Sequence, residues 1–188
     1  MSSNAEAGKP GKRSRGHRSI TRTLRIDEDL DEEIQRISRK DRLSINQVAN
    51  RALRRFVEWD AAVSTRSLVS VPSKLLVKLM ETQTKAGARE LGRWAALELF
   101  VPNLKAQFAS FTLDSAIEGM SRLSAYGGRF EFDHTLSEGN HVIMLRQPFG
   151  AKWSEYYAGA LEGVFGTALG KKVKLKVTDD ICLFEFQE

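Results

Sequence analysis

One cysteine, Cys182, stands among 188 residues, beside three histidines and four prolines. A lone thiol excludes an intramolecular disulfide framework and any site that needs several thiolates, and it suits a reducing compartment. Zinc-finger architectures are excluded with it. No stretch approaches the roughly 18 to 20 uncharged residues of a membrane-spanning helix, and the first residues lack the apolar centre of a signal peptide. A cytoplasmic protein is expected. The chain also lacks a Gly-rich phosphate loop, a nucleophile elbow and a clustered Ser-His-Asp set, so no enzymatic activity and no cofactor are expected.

What is present is unevenly placed. Residues 1–26 hold seven Lys/Arg against the single acid Glu6, a net +6 within a chain total of +5, so the remainder is close to neutral. A polyanion partner is expected at this end, where cationic side chains displace condensed counterions from phosphate. Residues 1–18 carry almost nothing to bury and read as a disordered basic arm. From Ile20 to Ile26 the chain alternates with a period of two, Ile20, Leu24 and Ile26 on one face with Arg22 interrupting, as in a short half-buried strand. Asp27 is the expected N-cap of a first helix that runs to about Asp41, its first turns rich in acids and its apolar positions Leu30, Ile34 and Ile37 at helical spacing. Ser44 is expected to cap a second helix from Ile45 to about Ala62, with an apolar stripe through Val48, Ala52, Leu53, Phe56 and Val57.

A single strand leaves its backbone groups unpaired, and a unit of some 45 residues with one strand and two helices buries too little surface alone. Pairing of two chains meets both needs. The strand TRTLRID, the helix opening EDLDEEI, the RLSIN turn and the apolar second helix together resemble the ribbon-helix-helix family of the Arc and methionine-repressor type, over residues 19–62. The resemblance implies a homodimer whose two-stranded antiparallel ribbon enters the major groove of double-stranded DNA. On the parity that buries Leu24 and Ile26, it implies base reading by Thr21, Thr23 and Arg25. It also implies a phosphate clamp at the start of the second helix, from Ser44, Ile45 and Asn46, with Arg42 and Arg18 beside it.

Residues 63–72 read as a linker, and residues 73–188 as a second domain. Helices are expected near Ser73 to Met80, Lys85 to Phe100 and Leu113 to Ala125, interrupted around Pro102. Two strands follow, around Phe130 and Phe132 and from His141 to Arg146, then an amphipathic helix from Ala151 to Leu169 closed by Gly170. A hairpin across Thr178-Asp179-Asp180 ends the chain. The fold class is therefore α+β: a dimeric ribbon-helix-helix unit, then helices and a ββαββ antiparallel-sheet unit. Trp153, Tyr156, Tyr157 and Phe165, near Pro148 and Phe149, form an aromatic stripe read chiefly as core and otherwise as the wall of a ligand pocket. The stretch from Phe149 to Ser154 resembles the small-molecule-sensing domains of archaeal regulators that share this plan. Gly159, Gly163 and Gly166 sit inside the helical pattern, where close packing explains them. Nickel-responsive ribbon-helix-helix proteins carry richer histidine sets than His134, His141 and Cys182, so no metal site is expected.

The function expected from sequence is a sequence-specific dimeric DNA-binding transcriptional regulator, nucleoid-associated, whose C-terminal domain senses a small-molecule effector or builds a higher oligomer. Two alternatives stay open: an antitoxin-like autoregulator whose C-terminal domain binds a partner protein, and an architectural DNA-binding protein.

Overall fold

The structure is a computed structural model that describes residues 20–61, 71–108 and 110–187. The expected basic arm, Arg18 and most of the linker lie outside the described residues. Two compact units divide the chain, Met1–Ala49 and Asn50–Glu188, with the division inside the second helix.

In the first unit, residues 20–27 form neither helix nor strand. The strand expected there is not formed in the single chain, because a strand exists only by exchanging hydrogen bonds with a neighbour and no other described segment pairs with these residues. Helix α1, Glu28–Asp41, follows with Glu28, Asp29 and Asp31 in its first turn and Arg39 and Lys40 in its last, the charge order that opposes the helix dipole. Asp27 precedes it as expected, but its side chain makes no capping bond. The helix ends at Arg42, whose φ of 55° is left-handed, and the Ser38 hydroxyl donates to the Leu43 carbonyl at 2.6 Å to hold the turn. Ser44 then caps helix α2, Ile45–Arg55, reciprocally. The Gln47 amide donates to Ser44 Oγ at 3.2 Å, and the Ser44 amide donates to Gln47 Oε1 at 2.8 Å.

Beyond Asn50 the helix continues through a wide π-helical turn, Phe56–Asp60. Helix α3 covers Ser73–Glu81 and helix α4 Lys85–Ala95, the latter capped by Thr84 Oγ1 and extended by a second wide turn, Ala96–Phe100. Helix α5, Val101–Gln107, follows that wide turn without a break and carries Pro102 in its first turn, so the helical chain continues through the proline where an interruption was expected. Helix α6, Leu113–Gly127, is opened by a Thr112–Ser115 capping box and closed by Gly128 at φ 62°.

Strands β1 (Glu131–Ser137), β2 (Asn140–Arg146), β3 (Val173–Val177) and β4 (Ile181–Gln187) form one antiparallel sheet in the order β1-β2-β4-β3. Helix α7, Ala151–Leu161, with a third wide turn, Glu162–Ala168, lies between the two strand pairs in sequence, so the ββαββ order is as expected. The described chain is thus α+β. His141, Ile143 and Leu145 of β2 and Cys182, Phe184 and Phe186 of β4 are buried on one sheet face. The alternate residues of both strands are only half-buried, so β2 is covered fully on one side rather than two.

Helix α7 packs on that face, Phe165 meeting the rings of Phe184 and Phe186 at 5.4 and 5.5 Å. Its other side meets α4 at backbone distance. A Cβ on Gly92 would fall 1.8 Å from the Tyr156 carbonyl oxygen, and one on Gly159 would fall 1.9 Å from that of Arg89. The glycines at this crossing exist for close approach, as expected for Gly159; Gly163 is less tight, its Cβ position 2.9 Å from the Ala96 methyl carbon, and Gly166 is open. Arg89 ties the crossing down, donating to Glu155 at 2.9 Å and to Glu162 at 2.6 Å, and Arg93 donates to Glu162 at 3.0 Å.

Candidate functional site

The start of α7 is set by the turn before it. Gly150 adopts φ 89°, open only to glycine at low cost, and Gln147, though 1% exposed, is fully engaged. Its amide nitrogen faces Ser154 Oγ at 2.8 Å and the carbonyls of Asp179 and Gly150 at 3.0 and 3.1 Å, while its oxygen accepts from the Phe149 amide. This network pins the first turn of α7 to the β3–β4 hairpin and thereby fixes Trp153 and Tyr157.

Those two residues line a cavity of about 450 Å³ in the 50–188 unit. Small-molecule sites span roughly 300–1,000 Å³. Tyr156 and Phe149 stand beside them, with ring centroids 5.3 Å (Trp153–Tyr156), 5.3 Å (Tyr156–Tyr157) and 5.8 Å (Phe149–Trp153) apart. Helix α6 contributes Met120 and Leu123. All three wide helical turns add to the wall: Glu58 and Trp59 from the first, Leu99 and Phe100 from the second, Val164 from the third. π-helical turns interrupt the regular ladder at an energetic cost and recur at functional sites. Trp59 rests against Tyr126 at 6.0 Å, and the Tyr126 hydroxyl donates to Glu58 at 2.6 Å, which holds the Glu58 carboxyl below its ordinary range.

Within this apolar wall two polar atoms stand unpaired. Trp153 Nε1 and the Tyr157 hydroxyl are buried with no hydrogen-bond partner among the described residues, in residues only 6% and 5% exposed. Burial drives the Tyr157 pKa well above its ordinary value, so the hydroxyl keeps its proton and remains a donor. An unpaired buried donor costs about 1–3 kcal/mol. The aromatic stripe read chiefly as core is therefore also the wall of a cavity, with two donors left over.

His134 and His141 come together unexpectedly. Glu138 and Gly139, both at positive φ, close a two-residue turn that pairs Ser137 with Asn140 and so sets the register of β1 on β2. The two rings then share a hydrogen bond of 2.9 Å, and His141 stacks on Phe186 at 4.8 Å. Burial, then the neighbouring His141, holds the His134 pKa below its ordinary value. No group of three or more His, Cys, Asp or Glu able to hold a metal occurs among the described residues. Cys182 is fully buried and donates to the Ser154 carbonyl at 3.0 Å, and burial pushes its pKa up to about 12. It is an inert core thiol.

The DNA-contact residues expected from sequence all belong to the first unit. Thr21, Thr23 and Arg25 are exposed on residues without strand structure, and so are Leu24 and Ile26, so the expected division into a buried and a reading face is not present in the single chain. Arg42 and Ile45 are exposed, Ser44 is occupied in capping, and Asn46 lies in the first turn of α2. Arg18 lies outside the described residues.

No helix among the described residues is long and apolar enough to cross a membrane. No family model and no curated protein matches the chain. Among solved structures it is similar to a mutant of Cs H-NOX carrying 4-cyano-L-phenylalanine at site 5, at 12% identity and a TM-score of 0.37, covering 91% of this chain and 78% of that one. The expectation of a sequence-specific dimeric DNA-binding transcriptional regulator is corrected on this finding: that solved structure is an H-NOX protein and not such a regulator. At that TM-score the likeness transfers neither a fold nor a ligand to this chain.

Proposed function

We propose that residues 50–188 form a binding module for a small, largely apolar molecule, held in the cavity lined chiefly by α6, α7 and the wide helical turns. The observation that carries this is the pair of buried donors, Trp153 Nε1 and the Tyr157 hydroxyl, on residues lining a space large enough for a ligand. Binding gains on two counts. Apolar area leaves water at about 25 cal/mol per Å², and an acceptor on the ligand relieves donors that otherwise cost about 1–3 kcal/mol each. The test is titration of the full chain with a neutral fluorescent apolar probe, N-phenyl-naphthylamine. Wild type is expected to bind it saturably. Ala160→Phe, which fills the cavity from α7, is expected to abolish binding while unfolding at a similar temperature; undiminished binding by that variant would place the probe elsewhere.

A second reading concerns the first unit alone: a second copy of this chain covers its apolar side chains. Among its described residues Val48 is the only buried hydrophobic one, whereas Leu24 is 65%, Leu30 54% and Ile26 42% exposed. The ribbon-helix-helix resemblance supports the same pairing, in which two copies of residues 20–27 supply each other's backbone partners. Sedimentation equilibrium of the full chain is expected to give a dimer, and Leu30→Ser a weaker one.

A further inference from the structure

The cavity's charged groups narrow the ligand class, an inference that rests on the binding reading above. Four charged side chains line it: Arg55, Glu58, Arg122 and Arg129. Three are already balanced. Arg55 pairs with Asp60 at 3.5 Å, Glu58 with Arg54 at 3.0 Å as well as with Tyr126, and Arg122 with Glu118 at 2.7 Å while lying over the Phe108 ring. Arg129 differs. It follows the left-handed Gly128, its side chain is exposed, and it has no ion-pair partner among the described residues. Its position is also distinctive, because Arg129 and Phe130 line both the cavity and a second, shallower hollow. Burial raises the pKa values of Tyr156 and Tyr157, and the Arg129 charge is near enough to work against that rise at both hydroxyls.

The cavity is therefore lined by an apolar wall, by two residues that each carry an unpaired neutral donor, and by one exposed arginine with no ion-pair partner among the described residues. We infer that its ligand is a carboxylic acid with an apolar body, the carboxylate accepting from Trp153 and Tyr157 and balanced by Arg129. A carboxylate is an acceptor-only group with lone pairs for several donors, and bonds to it are stronger than those to a neutral oxygen. A phosphate monoester brings close to two negative charges, and one unbalanced cation beside an apolar wall leaves the second uncompensated. A purely hydrocarbon ligand leaves both donors unpaired.

Three competitors of one shape separate these cases in displacement of the neutral probe from the full chain: para-butylbenzoate, para-butylbenzamide and butylbenzene. The benzoate is expected to bind about tenfold more tightly than the benzamide, and the benzamide about tenfold more tightly than butylbenzene, the scale of one hydrogen bond at each step. Arg129→Gln is expected to bring the benzoate down to the benzamide's affinity and to leave the other two unchanged. Tyr157→Phe is expected to weaken both acceptor-bearing compounds and spare butylbenzene, and, since it removes an unpaired buried hydroxyl, to unfold no earlier than wild type. A benzoate that binds no better than the benzamide, or keeps its advantage in Arg129→Gln, overturns the carboxylate assignment and leaves the cavity reading intact. Failure of all three to displace the probe overturns both.

Discussion

The two units spend their apolar residues in opposite ways. From Asn50 onward, rings and aliphatic side chains converge on one continuous core from Met80 to Phe186, in which Ile143, Leu145, Leu161, Phe165 and Phe184 are almost wholly inaccessible. Before Asn50 most of the same residue types lie open to water, with Ile34 and Leu43 half-buried and Val48 alone fully buried among the described residues. Hydrophobic patterning is equally clear in both, so patterning alone does not make a core; an opposing surface must exist for it to bury against. The C-terminal unit supplies its own, through a helix held between a sheet and a second helix. The N-terminal unit, with one helix pair and an unpaired segment, does not.

The strongest way to break this contrast is to force apart the crossing on which the C-terminal core depends. Gly159→Ala places a methyl carbon against the Arg89 carbonyl, and neither backbone can yield without separating α4 from α7. A loss of about 3 kcal/mol or more is expected in denaturant unfolding, at the upper end of overpacking effects. A loss below about 0.5 kcal/mol would show that the two helices are not in backbone contact.

Leu30→Ser sharpens the comparison from the other side. A leucine 54% exposed costs little to replace if it truly faces water, within about 0.5 kcal/mol, but about 2 kcal/mol or more if a second copy covers it. The second-copy reading expects the larger loss, appearing as a concentration-dependent unfolding midpoint. A midpoint independent of both concentration and the substitution would contradict it.

The ion pairs at the α4–α7 crossing give a smaller effect with a defined pH sign. The Glu162 carboxyl is held below its ordinary value of 4.5, first by the Arg89 hydrogen bond and then by Arg93, against burial. Its folded pKa is depressed, so the stability it adds is present above that ordinary value and is lost as pH falls through the folded one. Glu162→Gln is expected to cost about 1–2 kcal/mol at neutral pH, allowing for partial solvent screening, and nothing once the pH is low enough to protonate the wild-type group. The stabilities of the two proteins should converge as pH is lowered; a constant offset at every pH would mean that the loss does not come from the ionised carboxylate, and coincident curves that the pair adds no stability. Smallest of all, Arg25→Ala in the exposed segment before α1 is expected to shift stability by less than about 0.5 kcal/mol.

Much of the fold was legible in the chain itself. Helical spacing and period-two alternation located α1, α2, α3, α4, α6, α7 and the four strands, because each carries a one-sided apolar pattern matched to its geometry. Gly170, at φ 67°, closes the helix after α7 as its position suggested. Pro102 does not break the helix as its chemistry suggests, because it directly follows a wide turn whose loosened ladder tolerates a residue without a backbone donor. The His134–His141 pair escaped notice although its signal was present: a two-residue Glu-Gly turn fixes the register, and that register puts both rings on one face. The cavity was only half legible. Trp153, Tyr156 and Tyr157 stood out as a stripe, but Trp59, Tyr126 and Arg129 reach the same space from separate elements, and wide helical turns leave no periodic mark. Whether a buried Trp or Tyr has a partner is a property of packing, which spacing does not encode.

The account rests on Trp153 and Tyr157 being donors that await an acceptor inside the cavity, and the indole proton of Trp153 reports on this directly. In a nitrogen-15 spectrum of the full chain, adding para-butylbenzamide is expected to move the Trp153 indole N–H downfield as it gains a hydrogen bond, while the exposed Trp94 signal stays in place and Tyr157→Phe reduces the affinity read from the titration. A compound that binds the protein yet leaves the Trp153 indole resonance unmoved would contradict the account.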